Sequence, residues 1–172
     1  YQFGKFNIAD ENKPTSIITN AAGKGINISR ALSKFGIKSK AVALLGKQNA
    51  EYFLNLLKND GVDCTYILAE GKVREAISLN TDGIPETRII TDTFTTTEDL
   101  LEQAMAHVNS ECTSESYIAI SGKVPAGISK QAFIKACKSI CTCTKQAELI
   151  KNVAVLLLKK LMLQKVSRTV RD

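Results

Sequence analysis

Residues 15–36 decide the fold: they read Thr15-Ser-Ile-Ile-Thr-Asn-Ala-Ala-Gly-Lys-Gly-Ile-Asn-Ile-Ser-Arg-Ala-Leu-Ser-Lys-Phe-Gly36. The start of this stretch, Thr15–Thr19, is rich in β-branched residues and predicts a short strand. A helix is predicted from about Ile26 to Phe35, because its apolar residues recur at helical spacing, and Gly36 supplies the stop. A strand, a glycine turn and a helix in this order are typical of a parallel α/β sheet.

The turn between that strand and that helix is the strongest candidate for a binding site. Gly23 and Gly25 permit positive φ and close approach, so backbone N–H groups and the positive end of a helix dipole converge at one spot. Lys24 adds a positive charge, and Asn27 adds an amide in the first helical turn. The P-loop and dinucleotide fingerprints do not fit these residues. Two interpretations stay open: an anion or sugar site, or a purely structural glycine turn.

The alternation of strands and helices continues along the chain and predicts a mainly parallel sheet flanked by helices. Further strands are expected at 41–45, 65–68 and 117–121, and further helices at 50–59, 97–108 and 129–138, the last capped by Ser129. Residues 73–80 alternate with a period of two and are followed by Asp82-Gly83 and by a second β-branched run, 86–91. This pattern predicts an antiparallel hairpin.

Two further groups of residues carry candidate chemistry. Arg74 is expected on a hairpin strand, where it would be a phosphate clamp or a solvated arginine; Arg88 on the return strand has the same two interpretations with less support. Ser121, Gly122 and Lys123 are expected at the carboxyl end of a parallel strand, where open α/β sheets bind ligands.

Composition and charge narrow the function classes. The 172 residues are 44% apolar and 23% charged, which is typical of a globular protein. Residues 1–129 hold 13 basic and 15 acidic side chains, whereas residues 130–172 hold 10 basic and 2 acidic ones. The main part of the protein therefore has no broad basic face for nucleic acid, and no apolar run approaches the ~20 residues that span a bilayer. The basic segment 151–171 leaves binding to nucleic acid or an anionic surface as a weaker hypothesis.

Five cysteines and a single histidine, His107, make a metal site an unfavoured interpretation. Cys137, Cys141 and Cys143 form a C-x3-C-x-C run, but no second cluster complements them, so incidental cysteines are expected. An odd cysteine count without a secretory signal indicates a reducing compartment.

The segment Ala-Ala-Gly-Lys-Gly-Ile-Asn-Ile-Ser-Arg-Ala-Leu-Ser-Lys-Phe-Gly resembles the first signature of the ribokinase-like (PfkB) sugar kinases, in the 1-phosphofructokinase and tagatose-6-phosphate kinase branch. The resemblance continues through Ala-Val-Ala-Leu-Leu-Gly, Val-Arg-Glu, the Asp-Gly hairpin with Glu-Thr-Arg, and Ile-Ala-Ile-Ser-Gly-Lys-Val-Pro-Ala-Gly. It covers about residues 1–135, in the family's order and spacing.

The resemblance implies a ribokinase-like α/β fold with a small antiparallel β lid at about 73–91. It also implies phosphoryl transfer from ATP, with Mg²⁺, to fructose 1-phosphate, fructose 6-phosphate or tagatose 6-phosphate, in the cytoplasm. Its implied substrate-binding residues are the turn Gly23, Lys24, Gly25 and Asn27, the lid arginine Arg74, and the flanking loop Ser121, Gly122 and Lys123. The lid is also the implied surface for a homodimer.

Some family elements are not found in the sequence. The substrate-binding aspartate of the first strand is expected before Tyr1, and the Gly-Ala-Gly-Asp signature, which supplies the catalytic base in the family, does not occur. Lys123 replaces the usual serine, and Ala22 stands at a position that is usually glycine. We therefore expect residues 1–138 to be a partial domain lacking the C-terminal half of the fold, and 139–172 to be a basic tail outside the family pattern. On this interpretation no catalytic residue is assigned, and a non-catalytic remnant that binds a sugar phosphate or a partner chain is the alternative function.

Overall fold

The computed structural model describes residues 1–113 and 116–141 of the chain. Within them the helices and strands are, in order, β1 (Gln2–Phe3), α1 (Lys24–Lys34), β2 (Lys40–Gly46), α2 (Ala50–Asn59), β3 (Asp63–Ala69), β4 (Ala76–Thr81), β5 (Ile84–Ile90), α3 (Glu98–Glu111) and α4 (Lys130–Cys141). Beyond residue 141, the basic tail expected from the sequence lies outside the described residues, as does Cys143. None of the helices described is long and apolar enough to cross a membrane.

The centre of the molecule is the parallel pair β2 and β3, whose partners run in register from Lys40 and Asp63 to Gly46 and Ala69. One face of this pair is covered by α1 and α2. A buried cluster joins them and consists of Ala21, Ile26, Ala41, Leu57 and Val62. The apolar spacing that predicted the two helices therefore marks the faces that they bury.

The opposite face of the β2–β3 pair is covered by α3, which in turn packs against α4. Successive side chains of a strand point to opposite faces, so Lys40 points away from the cluster that contains Ala41. Lys40 donates to Glu111 of α3 over 2.8 Å between Nζ and Oε1. Ser129 is the expected cap of α4, and Thr97, which was predicted as the first residue of a helix, caps α3; both hydroxyls accept from backbone N–H groups in the first turn.

The predicted hairpin is present as β4 and β5, an antiparallel pair that turns at Asp82-Gly83. Strand β1 adds to its edge by parallel pairing of Gln2 with Asn80 and of Phe3 with Thr81. The sheet order is β1-β4-β5, separate from the β2–β3 pair. The hairpin with β1 is called the lid below.

Two strand predictions were wrong. Residues 15–19 form only an isolated bridge, in which Ser16 pairs with Gln2, and Ile17 and Ile18 are 57% and 77% exposed. The segment 117–121 is also without strand structure, and its first residue, Tyr117, is 70% exposed. Both segments have strand composition, but a strand forms only where a neighbour accepts its backbone hydrogen bonds.

Two glycines mark where loops cross closely at one end of the β2–β3 pair. A Cβ at Gly46 would lie 2.3 Å from the carbonyl carbon of Lys72, so the end of β2 touches the chain that leads into the lid. A Cβ at Gly127 would lie 2.3 Å from the Thr96 carbonyl oxygen, and Thr96 N–H donates to Ala126 over 2.8 Å. The loop before α4 is thereby fixed to the segment that leaves the lid.

Candidate binding site at the end of the parallel strands

The predicted glycine turn forms the N-terminus of α1. The helix begins at Lys24, two residues earlier than expected, with Gly23 at its N-cap in a backbone conformation (φ 152°) that favours glycine. The first backbone bond of the helix runs from Asn27 N–H to the Gly23 carbonyl over 2.8 Å. The N–H groups of Lys24, Gly25 and Ile26 therefore have no helical acceptor. These three donors make the turn suitable for an anion.

The side chain of Arg30, a residue not predicted to belong to the site, hydrogen-bonds to both sides of the glycine turn. Its Nε donates to Asp60 Oδ2 over 2.8 Å, its Nη1 donates to Asn27 Oδ1 over 2.8 Å, and its Nη2 donates to the Ala21 carbonyl. Arg30 thus joins both sides of the glycine turn to the C-terminal end of α2. The bond to Arg30 directs the oxygen of Asn27 towards the guanidinium, so its NH₂ group faces away from Arg30.

The loop that carries Ser121 lies against the glycine turn. The Ser121 hydroxyl oxygen is 4.0 Å from the position that a Cβ on Gly25 would occupy. Gly122 follows with φ 124°, and both Ser121 and Lys123 are exposed. The sequence placed these residues at the end of a strand, which is wrong, but Ser121 brings their loop beside the turn. Two groups that lie almost 100 residues apart in the chain are thus brought together.

Arg74 lies two residues before β4, and not on a strand as the sequence predicted. Its backbone is nevertheless fixed on both sides. Asn49 bonds the Val73 backbone twice, accepting from Val73 N–H over 2.7 Å and donating to its carbonyl over 3.1 Å. The Glu75 N–H donates to the Thr91 hydroxyl over 2.9 Å, and the Thr91 N–H donates to the Glu75 carbonyl over 3.0 Å. The Arg74 side chain is exposed. The guanidinium is therefore carried on a fixed segment at the base of the lid.

The topology places these groups at one edge of the β2–β3 pair. Helix α1 leads into β2 through a short loop and runs against it, so the N-terminus of α1 lies at the end where β2 finishes. Arg74 follows the end of β3, and the chain just before it contacts Gly46 at the end of β2. Contacts of the described residues join Ser121 directly to the turn, whereas Arg74 reaches the same edge through the lid base. This edge is where open α/β sheets bind ligands.

The three charged candidate residues at this edge are basic, and the nearby Glu70 is already paired with Lys47. Lys24, Arg74 and Lys123 are exposed, and no ion pair of the described residues includes them. Arg88, in contrast, lies 3.9 Å from Glu86 on the same strand of the lid. An exposed cation without an internal partner is available to an anionic ligand.

The cysteines of the described part of the chain are not among the residues found at this edge. Burial raises the pKa of the Cys64 thiol to about 11, with a smaller contribution from the neighbouring Asp63 carboxylate, so this thiol stays protonated at neutral pH. Cys137 is buried in α4 and Cys141 ends that helix. In residues 1–113 and 116–141 no group of three or more His, Cys, Asp or Glu side chains is arranged to hold a metal.

Sequence reasoning missed the residues that hold the candidate site in place. Asn49 precedes an obvious helix and therefore has the signature of an N-cap, yet its side chain makes no capping bond and binds Val73 instead. Thr91 sits in a run of threonines without a distinguishing pattern. Arg30 could have been suspected from its spacing to Asn27, since positions i and i+3 are neighbours on a helix.

Comparison with known proteins places the chain among sugar kinases. The sequence model of a family described as "pfkB family carbohydrate kinase" matches residues 5–170, a range that includes most of the segment after residue 138. A 1-phosphofructokinase of Vibrio cholerae is 30% identical over 112 residues, which are 65% of this chain and 35% of that protein.

Solved structures of the same kind share the fold. Phosphofructokinase-2 of Escherichia coli in complex with fructose 6-phosphate aligns with a TM-score of 0.73 and 20% identity over 83% of this chain and 47% of that one. A Staphylococcus aureus protein provisionally described as a phosphofructokinase aligns with a TM-score of 0.72 and 26% identity over 86% of this chain and 47% of that one. The chain therefore spans about a third to a half of the length of these relatives, and its fold is the corresponding part of a ribokinase-like fold.

Proposed function

Because the chain belongs to the pfkB family of carbohydrate kinases, we propose that the edge described above binds the phosphorylated sugar that accepts the phosphoryl group. The proposed binding residues are Gly23, Lys24, Gly25 and Asn27 of the turn, Arg74 of the lid base, and Ser121, Gly122 and Lys123 of the adjoining loop.

One observation supports this proposal above the others: the Ser121 hydroxyl lies 4.0 Å from the Cβ position of Gly25. The turn and the loop were each proposed to touch the substrate, and a shared substrate requires them to be neighbours. The exposed Lys24, which no ion pair of the described residues includes, favours a binding site over a purely structural glycine turn.

The chemistry of the edge fits a phosphorylated sugar. A phosphate would accept from the backbone N–H groups at the start of α1 and would be neutralised by Lys24 and Arg74. The Ser121 hydroxyl and the Asn27 NH₂ group suit sugar hydroxyls. The relatives named above are a 1-phosphofructokinase and a phosphofructokinase-2. For this chain we propose fructose 1-phosphate, fructose 6-phosphate or tagatose 6-phosphate as the ligand.

ATP is the phosphoryl donor that the family implies, and Mg²⁺ is proposed with it. The described residues do not fit the donor side, because no cluster of acidic side chains among them is arranged for a metal. Nor does the sequence contain Gly-Ala-Gly-Asp, the signature that carries the catalytic base in the family. The proposal is therefore limited to acceptor binding, and no step of the transfer is assigned to these residues.

Calorimetric titration with the three sugar phosphates tests the proposal. Lys24→Ala and Arg74→Ala are each expected to weaken binding by more than tenfold, or about 1.4 kcal/mol, because each removes a charge at the phosphate. Lys38→Ala is the matched lysine control, since Lys38 is exposed two residues before the start of β2, at the far end of the strand pair. Arg88→Ala is the arginine control within the lid. If neither Lys24→Ala nor Arg74→Ala changes the affinity, the proposed binding site is contradicted.

The same protein distinguishes kinase activity from binding alone. ATP consumption is measured with each sugar phosphate at a concentration that saturates binding. Binding without turnover is the expected result, because the described residues supply only the acceptor side. Turnover by this chain would show that residues outside the described ranges complete the donor side.

We also propose that the lid joins two copies of the chain. All seven residues of β5 are exposed, including Ile84, Ile89 and Ile90 at 57%, 51% and 54%. Such an apolar strand surface favours burial against a partner. Sedimentation velocity is expected to show a dimer that Ile89→Lys dissociates and that Ile8→Lys, at a 92% exposed position outside the lid, leaves intact. A monomeric wild-type protein would contradict this proposal.

A further inference from the structure

The side chain of Arg30 makes three hydrogen bonds beside the glycine turn, and the proposed function assigns it no role. It is mostly buried, with 18% of the side chain exposed, and it reaches three different parts of the chain. These are the Asp60 carboxylate at the end of α2, the Asn27 side-chain oxygen and the Ala21 carbonyl. Ala21 itself is 1% exposed. The two bonds to Ala21 and Asn27 enclose the turn between them.

The charge on Arg30 determines which end of the Asn27 amide faces outward. A guanidinium has five N–H donors and no acceptor, so the Asn27 atom that meets it must be the oxygen. The NH₂ group of Asn27 therefore points away from Arg30, and Asn27 itself is exposed. A side chain that could otherwise offer either an acceptor or donors is thus fixed as a donor.

We infer that Arg30 is a positioning residue, which fixes the glycine turn and sets Asn27 to donate to an oxygen of the ligand. The inference rests on the proposed function, since it assigns the ligand-facing polarity of the same site. Asp60 compensates the charge of Arg30, while the bonds to Ala21 and Asn27 do the positioning. The turn then offers four donor groups to a ligand: three backbone N–H groups and the Asn27 NH₂ group. It favours phosphate or hydroxyl oxygens that accept hydrogen bonds.

A double-mutant cycle tests the inference by sugar-phosphate affinity. Arg30→Met keeps the length of the side chain but removes every donor, and we expect it to weaken binding at least tenfold. In an Asn27→Ala background the same change should cost clearly less than it does in the wild type, because the bond to the Ala21 carbonyl is then the only positioning bond left to lose. Additive losses, or an affinity for Arg30→Met within twofold of wild type, would overturn the inference.

Asp60→Asn separates positioning from stability. It removes the charge partner of Arg30 but leaves the bonds to Asn27 and Ala21, so the melting temperature should fall while affinity changes less than threefold. A loss of affinity as large as that of Arg30→Met would show that Arg30 acts through general stability, and would overturn the inference.

A ligand-free measurement keeps this inference separate from the proposed function. Backbone amide chemical shifts of residues 21–27 are expected to change in Arg30→Met and to stay unchanged in Arg88→Met. If the wild-type chain binds none of the three sugar phosphates, the proposed function fails. The positioning role then stands or falls on these shifts, and unchanged shifts in Arg30→Met would overturn it.

Discussion

Asn49→Ala should loosen the base of the lid, the segment of Val73 and Arg74 that precedes β4, because it removes the hydrogen bonds that hold Val73. Asn49 makes two hydrogen bonds to the Val73 backbone, of 2.7 Å to its N–H and 3.1 Å to its carbonyl. A hydrogen bond of this kind contributes about 0.5–1.5 kcal/mol net, so the substitution should lower the free energy of unfolding by about 1–3 kcal/mol. Loss of helix capping does not add to this, because Asn49 makes no side-chain capping bond to α2.

The same substitution should also weaken ligand binding, although Asn49 is not proposed to touch the ligand. Arg74 is the next residue after Val73. If the substitution frees the backbone of Val73, the backbone that carries Arg74 must become ordered again when the ligand binds. Fixing one residue costs about 1–2 kcal/mol, and the lower value corresponds to a loss of affinity of about fivefold. Urea denaturation followed by circular dichroism measures the stability, and calorimetric titration with a sugar phosphate measures the affinity.

Asn55→Ala is the matched control for Asn49→Ala, since Asn55 is exposed on the same helix and makes no hydrogen bond among the described contacts. It should change the free energy of unfolding by no more than about 0.5 kcal/mol and leave the affinity unchanged. If the Asn49→Ala and Asn55→Ala proteins unfold at the same urea concentration, the reasoning about the lid base is refuted.

Two further predictions concern stability. Gly127→Ala should cost more than about 3 kcal/mol in urea denaturation, because its Cβ would lie 2.3 Å from the Thr96 oxygen at φ 90°. Gly83→Ala, at φ 75° in open space, should cost only about 1–2 kcal/mol, and equal costs would contradict the steric argument. The pKa of Cys64, raised from 9.0 to about 11, means that the unfolded thiol ionises first. Stability should therefore fall as the pH rises from 9 to 11, and less so in Cys64→Ala; alkylation of Cys64 at pH 8 as fast as free cysteine would contradict this.

The helices, and the strands that pair with sequence neighbours, could be read from local patterns. Helix α2 spans the predicted residues, and β2, β3 and the hairpin differ from the predictions by a few residues at their ends. Apolar periodicity, the Asp82-Gly83 turn and the capping hydroxyls of Thr97 and Ser129 are local signals, and each reflects a local physical preference. The glycine turn at the start of α1 was visible for the same reason.

The strand predictions that were wrong concern segments whose structure depends on hydrogen-bonding partners far away in the chain. Residues 15–19 and 117–121 have the composition of strands, but composition does not say whether a neighbour is present to accept the backbone hydrogen bonds. Arg74 was placed on a strand because the alternation of apolar and polar residues begins at Val73. In the structure both the N–H and the carbonyl of Val73 bond to Asn49 and not to a neighbouring strand, and β4 begins only at Ala76.

The amino-acid sequence by itself determined the α/β alternation, the hairpin, the glycine turn and the family, because each is carried by residues close together in the chain. Only the tertiary structure decided that Ser121 lies beside Gly25, that Asn49 fixes the chain before Arg74, and that Arg30 turns the Asn27 amide outward. These contacts join residues on different elements or depend on which atom a side chain presents. The spacing of residues along the chain predicts neither which elements meet nor which atom a side chain presents, because hydrogen bonds across the fold form only after the elements have packed.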